Sequence, residues 1–353
     1  MKVGDCVKIF NYENLNNLKW DNEIVTLISK IHEYKGKQSL FLKQKPQTLD
    51  QLVEIAKIQS TESSNKIEGI VTTSTRIKQL ITNKTTPRNR DEEEILGYRN
   101  ALNIIHENFD YIPITPNYIL QLHHELYKAT TKTIGGKFKS TQNYISAKYS
   151  DGHEEILFTP LAPFETPEAM KNLCDNFNKM VESETIEPLI LISVFITDFV
   201  CIHPFNDGNG RMSRLLTTLL LYRFGYFVGK YISIEKLIEK NKEGYDDALS
   251  KVDKGWHENE NNPTPFIKYF LRIVLLAYKE FEETISFVET KLSSYDYVKE
   301  TINSILGKFT KSELLEKCPL IAKSTLELTL KKLVEDGFIK KSGLGKSTFY
   351  YKS

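Results

Sequence analysis

The residues best suited to chemistry lie in one stretch, residues 202–216, with the sequence IHPFNDGNGRMSRLL. An apolar run with helical spacing precedes it. That helix should end near Pro204, because proline disfavours helix in the residue before it and has no N–H. A turn with two glycines follows, and a second apolar run at 215–222 returns to helical spacing. The sequence therefore predicts a helix that begins at or just after Gly208.

The start of this predicted helix is suited to binding an anion. Its first backbone N–H groups have no partner within the helix, and the helix dipole places partial positive charge there. Gly208 and Gly210 allow a ligand to approach the main chain closely. Arg211 and Arg214 are three residues apart and lie on one face of the helix. Together these features favour a phosphate site over a simple helix cap, the ordinary alternative for such a turn.

His203 and Asp207 lie at the edge of the same turn. A histidine can accept the proton of a hydroxyl near neutral pH, and a carboxylate beside phosphates can hold Mg²⁺. The combination indicates phosphoryl or nucleotidyl transfer. The sequence contains neither a P-loop of the form G-x-x-x-x-G-K-[ST] nor an H-E-x-x-H zinc motif, so these common signatures do not compete.

Residues 203–214 resemble the signature of the Fic family, H-P-F-x-[DE]-G-N-G-R-x-x-R, with every specified position matched. The resemblance implies a mainly α-helical fold, in which a Fic/Fido helical core carries a β-hairpin flap. It also implies transfer of AMP from Mg-ATP to a Ser, Thr or Tyr hydroxyl of a protein, which can be the chain itself. Relatives with kinase-type activity carry lysine at the motif's second glycine, so Gly210 favours AMP transfer.

The resemblance implies a role for each residue of the motif. His203 would accept the hydroxyl proton, and Asp207 would hold Mg²⁺. The main chain of the turn and the Asn209 amide would cradle the phosphates, while the two arginines would neutralise the leaving pyrophosphate. The expected ATP-binding residues are Gly208, Asn209, Gly210, Arg211, Met212, Ser213, Arg214 and, from its distance to the motif alone, Tyr245 near the adenine ring.

A second segment, Ser64 to Gly69, bears on regulation. Ser64 and Glu68 are four residues apart and share a helix face, and Gly69 fits a helix end. Taken alone, this is an ordinary helix C-terminus with a solvated glutamate. It is similar, however, to the family's inhibitory motif [ST]-x-x-x-E-[GN]. The resemblance implies that Glu68 pairs with Arg214 and keeps the γ-phosphate from binding productively, because two anions compete for one guanidinium.

Three further segments give local predictions. Asp151-Gly152, between two short runs of β-forming residues, predicts a hairpin. The resemblance identifies it as a flap whose edge pairs with the main chain of the target. The acidic run 91–94 predicts the solvent-facing first turn of a helix, without a function. Residues 1–45 are predicted to be irregular.

The chain is expected to divide into three parts: 1–90, an N-terminal helical region with the inhibitory motif; 91–290, the Fic catalytic core with flanking helices; and 295–353, a winged helix-turn-helix domain. The last assignment rests on a predicted order of helix, turn, helix and hairpin. Residues 301–353 contain ten lysines and five acidic residues. One interpretation is DNA contact through Lys323, Ser324, Lys331 and Lys332, and the other is protein docking or dimerisation.

Composition narrows the class of protein. The chain has 353 residues, 40% of them hydrophobic, and a net charge of +1, which gives no general attraction to nucleic acid or membranes. It shows no apolar signal core and no run of ~18 apolar residues, so no membrane association is expected. The four cysteines form no C-x-x-C pair, which predicts reduced thiols in a cytoplasmic protein. Cys201 sits in an apolar run and is interpreted as a packing residue.

Two alternatives to AMP transfer stay open at this point. The first is the reverse chemistry, hydrolytic removal of AMP from a protein, with Glu68 activating water. The second is a winged-helix DNA-binding regulator whose Fic core only senses nucleotide. The intact His203 argues against a pure sensor, because a sensor needs no base. The target protein and acceptor residue are not readable from the sequence, and a homodimer is one option for the oligomeric state.

Overall fold

The computed structural model describes residues 8–42, 46–82, 84–148, 152–289, 293–305, 307–318, 320–343 and 345–353. The fold is mainly α-helical, as predicted. The helices are α1 (Asn22–Leu42), α2 (Pro46–Ile67), α3 (Ser74–Ile81), α4 (Arg90–Asn108), α5 (Pro116–Tyr127), α6 (Thr166–Ser183), α7 (Pro188–Ile202), α8 (Asn209–Arg223), α9 (Ile234–Lys240), α10 (Lys242–Val252), α11 (Thr264–Glu289), α12 (Ser294–Ser304), α13 (Lys311–Lys317) and α14 (Lys323–Glu335). The strands are β1 (Ile145–Lys148), β2 (Glu154–Phe158), β3 (Ile339–Ser342) and β4 (Phe349–Lys352).

Helix α7 forms the centre of the core, with α6, α8 and α11 packed around it. Its side chains are apolar on nearly all faces, so Ile192, Phe195 and Phe199 are fully buried. Helix α8 is equally enclosed, with Leu215 and Leu220 at 0% exposure. Full burial of such a side chain stabilises the fold by about 1.5–3 kcal/mol. The turn that joins α7 to α8 is therefore anchored at both ends.

Helix α2 brings the second sequence motif to this turn. It packs against α4 and α9 and also contacts α8. Ser60 donates to Ser233 (2.9 Å), and Ser63 donates to Glu239 (2.6 Å), so polar bonds fix α2 to α9 along their contact. The C-terminal end of α2 is consequently held beside the start of α8.

The prediction of an irregular N-terminal region was wrong for residues 12–17 and 22–42. A 3-10 helix covers Tyr12–Asn17, and α1 follows and packs along α11. The sequence signal was weak because the fully buried residues of α1 are Ile24, Ile31 and Gln38, at seven-residue spacing. Such a narrow stripe lacks the i, i+3, i+4 pattern that marks most amphipathic helices.

The acidic run at the start of α4 also differs from the prediction, because Glu92 and Glu94 are buried rather than solvent-facing. Arg76 of α3 donates from Nε and Nη2 to the two oxygens of Glu92, at 2.8 and 2.5 Å. This hydrogen bonding lowers the pKa of Glu92 to about 2. A paired carboxylate at a helix N-terminus is stable where an isolated one would not be.

The predicted hairpin is present, with β1 and β2 antiparallel and Lys148 opposite Glu154. Gly152 has a φ of +87°, a conformation that suits glycine in the connecting turn. Asp151 lies outside the described residues. The exposed Ile156 places apolar surface on β2.

The C-terminal unit has a separate hydrophobic core. Val298 of α12, Leu314 of α13, Leu326 of α14, Ile339 of β3 and Tyr350 of β4 meet there. The antiparallel pair β3–β4 completes it. This order of elements agrees with the expected one, and the four predicted DNA-contacting residues are exposed. The winged-helix assignment and the DNA contact stay predictions, as do the three domain boundaries.

None of the described helices combines the length and the apolar character needed to span a membrane. Cys174, Cys201 and Cys318 are buried free thiols, and Cys6 lies outside the described residues. Burial raises the pKa of the Cys201 thiol, as expected for a packing residue rather than a nucleophile. The cytoplasmic location stays a prediction.

Helices α4 and α5 approach closely at Gly97, where an added Cβ would lie 1.9 Å from the Leu126 carbonyl oxygen. We expect Gly97→Ala to lower the free energy of unfolding by about 1–3 kcal/mol, since the backbone must move to admit the methyl group. Gly36→Ala in α1 is the matched control, because no heavy atom lies within 4 Å of its Cβ position. It should be neutral or stabilise by about 0.4–1 kcal/mol. Urea unfolding measures both, and equal stabilities of the two variants would contradict the close approach.

Candidate active site

The turn between α7 and α8 has an unusual backbone path. The N–H of His203 donates to the Phe199 carbonyl (3.1 Å), and His203 itself has a φ of +51°. Gly208 has a φ of +86°, and α8 begins at Asn209, as predicted. A Cβ at Gly208 would lie 2.8 Å from the Tyr127 hydroxyl, so conformation and space both require glycine here.

The first N–H groups of α8 are available to a ligand. The Met212 N–H donates to the Gly208 carbonyl (2.9 Å). By contrast, the N–H groups of Asn209, Gly210 and Arg211 meet no acceptor within the described part of the chain. Three unpaired donors at the positive end of a helix of 15 residues attract an anion.

One ring nitrogen of His203 has a hydrogen-bond partner. The Nδ1 atom lies 3.2 Å from the Val200 carbonyl oxygen, which can only accept, so we assign the proton of the neutral ring to Nδ1. The lone pair of Nε2 is then available. Burial lowers the pKa of His203 to about 4. The imidazole is therefore uncharged at neutral pH and can accept a proton at Nε2.

Arg214 is almost fully buried and meets both predicted inhibitory side chains. Its Nη2 lies 2.8 Å from Glu68 Oε1, and its Nε donates to the Ser64 hydroxyl at 2.8 Å. The Ser64 carbonyl accepts a further bond from Nη2 (2.9 Å). Gly69 has a φ of +77° and follows the end of α2. A Cβ on Gly210 would lie only 2.1 Å from Glu68 Oε1, so this carboxylate rests directly against the start of α8.

Asp207 and Arg211 belong to a different charge cluster. Lys132 Nζ lies 2.5 Å from Asp207 Oδ2 and 3.0 Å from Glu94 Oε1. Arg211 Nη2 lies 2.8 Å from Glu94 Oε2 and donates to the Tyr127 hydroxyl at 2.7 Å. Arg211 and Glu94 have side-chain exposures of only 1% and 2%. Arg211 is thus held in an internal ion pair, while its Nε and Nη1 are buried without a partner among the described residues. The contact with pyrophosphate that the resemblance implies stays a prediction.

Sequence reasoning missed Glu94 as a site residue, although a signal was present. Glu94 shares a helix face with Tyr98, Leu102 and Ile105, which are all buried. A carboxylate on the apolar stripe of a helix requires an internal cation. Lys132, which bridges Glu94 and Asp207, could not be found in this way, because the fold alone brings it there.

Three predicted ATP-binding side chains have other partners. The Asn209 amide accepts from the Phe205 N–H (2.9 Å) and donates to the Phe205 carbonyl (2.7 Å), so it fixes the turn rather than facing a ligand. Met212 is fully buried in the hydrophobic core. The Ser213 hydroxyl donates to the Gly210 carbonyl at 2.8 Å. A contact between these side chains and a nucleotide stays a prediction.

Tyr245 lies on α10 with its ring centroid 5.7 Å from that of Tyr269 and 6.1 Å from that of Phe266. Burial raises the pKa of Tyr245, and the nearby charge of Arg214 opposes that rise. Tyr245 is thus close to the Arg214–Glu68 pair but packed among aromatic rings. A direct contact with adenine stays a prediction.

A magnesium site would have to be built around one carboxylate. Among the described residues, no group of three or more His, Cys, Asp or Glu side chains could hold a metal ion. Burial acts to raise the pKa of Asp207, but the hydrogen bond with Lys132 and the charges of Lys132 and Arg211 lower it overall. Mg²⁺ bound to a nucleotide commonly uses one or two carboxylates together with phosphates. The half-exposed Asp207 fits that donor set.

Comparison with known proteins agrees with this geometry. Residues 113–221 match the Fic/DOC family. The matched segment includes α7, the turn that follows it and α8 as far as Leu221. The fold is similar to the crystal structure of a Fic family protein from Desulfovibrio desulfuricans G20, with a TM-score of 0.62 and 22% identity. That similarity covers 95% of this chain and 97% of the other.

Two curated relatives carry more specific names. The protein adenylyltransferase fic-1 of Caenorhabditis elegans is 28% identical over 140 residues, which cover 39% of this chain and 25% of that protein. The protein adenylyltransferase Fic of Drosophila melanogaster is 28% identical over 232 residues, covering 64% of this chain and 42% of that protein. The chain thus spans less than half the length of each of these relatives.

The buried histidines predict acid sensitivity. Burial lowers the pKa of His123 and of His203 to about 4 and that of His106 to about 3. Below about pH 6.5 an unfolded histidine binds a proton that these folded ones do not, so stability is lost as the pH falls toward about 4. The three together give a slope of up to about 4 kcal/mol per pH unit.

Urea unfolding at several pH values measures this slope. His123→Phe keeps a ring that can stack on Phe205, as His123 does, but removes one of the three titrations. It should therefore reduce the slope by about a third, whatever its effect on stability at pH 7. A slope unchanged in this variant would show that His123 is not held neutral by the fold.

Proposed function

We propose that this chain transfers AMP from ATP to a Ser, Thr or Tyr hydroxyl of a protein, with this chain itself among the possible targets. The observation that carries the proposal is an uncharged His203, with Nε2 available, just before a helix whose first three N–H groups lack an acceptor in the described chain. The names of the relatives, protein adenylyltransferases, support the same reaction.

In this reaction His203 Nε2 takes the proton of the acceptor hydroxyl. The hydroxyl oxygen then forms a bond to the α-phosphorus of ATP, the bond to the β-phosphate oxygen breaks, and pyrophosphate leaves. The N–H groups of residues 209–211 and the Arg214 guanidinium would stabilise the negative charge on the phosphates. The protonated imidazole returns its proton to solvent or to the leaving group.

Asp207 is the residue that would hold Mg²⁺ together with the phosphates. When bound, the ion supplies neutralisation of phosphate charge. Lys132 now occupies one oxygen of this carboxylate at 2.5 Å, so it must share or release Asp207 when the cation is present.

We further propose that Glu68 inhibits transfer in this state of the protein. Its carboxylate lies 2.8 Å from Arg214, one of the donors proposed for the nucleotide phosphates, and rests against Gly210 at the start of α8. A phosphate and a carboxylate cannot both pair with this guanidinium and share the space beside Gly210, since like charges at such distances repel. Productive binding of ATP therefore requires Glu68 to move.

Hydrolytic removal of AMP from a modified protein is the second candidate for the same site. Glu68 favours it, because its side chain is 37% exposed and could orient a water molecule. The two reactions make opposite use of Glu68, as an inhibitor of transfer and as a helper of hydrolysis. A Glu68 variant therefore separates them.

We expect His203→Ala to reduce transfer of label from [α-³²P]ATP to protein by about 10²–10⁴-fold, because the hydroxyl loses its base. His124→Ala is the control, since His124 is an exposed histidine on α5. Circular dichroism checks that both variants fold. Full labelling by the His203 variant would rule out this mechanism, and label transferred from [γ-³²P]ATP would indicate a kinase instead.

We expect Glu68→Gly to increase AMP transfer, including self-modification, by about tenfold to a hundredfold, the equivalent of one charge-assisted hydrogen bond. Glu68→Gln tests the charge alone, and Glu54→Gln is the matched change at an exposed glutamate of α2, the helix that ends just before Glu68. Hydrolysis of AMP from a pre-modified protein is measured in parallel. Increased transfer supports inhibition, whereas decreased hydrolysis without increased transfer supports the second candidate.

A further inference from the structure

The carbonyl groups of the catalytic turn are bonded by one short segment, residues 139–143. Lys139 Nζ donates to the Ile202 carbonyl (3.0 Å), and the Lys139 N–H donates to the Pro204 carbonyl (2.8 Å). Asn143 Nδ2 donates to the His203 carbonyl (3.1 Å) and to the Phe205 carbonyl (2.8 Å). Four consecutive carbonyls are thus held by two residues.

The two residues also hold each other, because Lys139 Nζ donates to Asn143 Oδ1 at 2.9 Å. The Asn143 amide therefore has one defined orientation, with its oxygen toward the ammonium and its nitrogen toward the turn. Asn143 lies two residues before β1 begins. The residues that bond the α7–α8 turn therefore lie directly before the β1–β2 hairpin.

Lys139 is an unusual residue for this position, since its side chain is only 3% exposed. Burial of an ammonium is costly unless it is paired or bonded to acceptors. Here it meets the C-terminal end of α7, where unpaired carbonyls and the helix dipole favour a cation. Burial lowers the pKa of Lys139 to about 8, so the group stays mostly protonated at neutral pH.

We propose that Lys139 and Asn143 are positioning residues for His203: together they fix the carbonyls of the turn that carries the imidazole, and the Lys139 ammonium disfavours a second positive charge beside it. This inference rests on the proposed role of His203 as a base. Apart from burial, the charges that act on the His203 ring are Lys139, which lowers its pKa, and Glu68, just after the end of α2, which raises it. Glu165 acts in turn on Lys139 and raises its pKa.

A purely structural role for Lys139 predicts a different outcome from the one proposed. If Lys139 only bonds the carbonyls, then a neutral donor of similar length should replace it without changing the titration of His203. If its charge matters, the same replacement should raise the pKa of His203 even where the fold is kept.

The experiment follows the ring signals of histidine in ¹³C-labelled protein by NMR as a function of pH. His203→Gln identifies the His203 signal. We expect Lys139→Gln, which keeps a donor but loses the charge, to raise the His203 midpoint by about 1. Lys139→Arg keeps the charge and should leave the midpoint near the wild-type value. Lys137→Met removes an exposed lysine two residues away and serves as the control.

Asn143→Asp provides a second route that does not alter Lys139. It places a carboxylate beside the ammonium and removes both donors to the turn, so it should also raise the His203 midpoint. In AMP transfer, both Lys139→Gln and Asn143→Asp should shift the acid limb of the pH profile upward. Asn143→Asp should also lower kcat about tenfold or more, because the turn loses two donors, with little change in KM for ATP.

A wild-type midpoint in folded Lys139→Gln, or an equal shift in Lys137→Met, would overturn the proposal. If Lys139→Gln does not fold, a wild-type midpoint in folded Asn143→Asp overturns the proposal instead. The NMR titration does not depend on catalysis. A failed titration therefore leaves AMP transfer standing, and loss of the proposed reaction leaves the electrostatic link between Lys139 and His203 intact.

Discussion

Two buried guanidinium groups near the start of α8, those of Arg211 and Arg214, must each be paired with an anion. The anions that pair with them determine the arrangement of charges in the site. Arg211 meets Glu94, whose side chain is 2% exposed, and Arg214 meets Glu68, whose side chain is 37% exposed. Removing Glu94 would strand a charge in the interior, which costs about 3–5 kcal/mol. The partner of Arg214 can instead be exchanged for another anion that arrives from solvent. The difference in exposure makes the partner of Arg214 easier to exchange than that of Arg211, which agrees with the proposed role of Arg214 at the phosphates.

The way α2 is packed limits how Glu68 can leave. Ser63 and Lys66 both bond Glu239 of α9, at 2.6 and 2.5 Å, and Ser64 bonds Arg214. These bonds hold the last turns of the helix while the Glu68 carboxylate stands at its end. Rotation of one side chain therefore breaks fewer contacts than withdrawal of the helix. Exchange of the anion at Arg214 requires only this local motion, on the timescale of side chains rather than of domains.

The sequence was most informative where a local rule determines the structure. Proline marked the end of α7, and glycine marked the start of α8. The pairing of Glu68 with Arg214 was implied by the motif resemblance rather than by spacing, and the bond from Arg214 to the Ser64 hydroxyl was not predicted. The sequence was least informative about whether a polar side chain binds a ligand or bonds the protein's own main chain. Asn209 fits a phosphate cradle by type, yet its amide has two backbone partners within the turn. Such competition is decided by tertiary contacts that no spacing rule encodes.

The same contacts bear on the strength of His203 as a base. With Glu68 in place, one negative charge near the ring opposes the effects of burial and of Lys139, and the pKa is about 4. Exchange of one carboxylate for the several charges of a nucleotide triphosphate increases the negative potential around the imidazole, and this favours its protonated form. The proposed substrate would therefore raise the basicity of the residue that must accept a proton. The imidazole would be a weak base without ATP and a stronger base with it. His203 would therefore take up a hydroxyl proton most readily when ATP is bound.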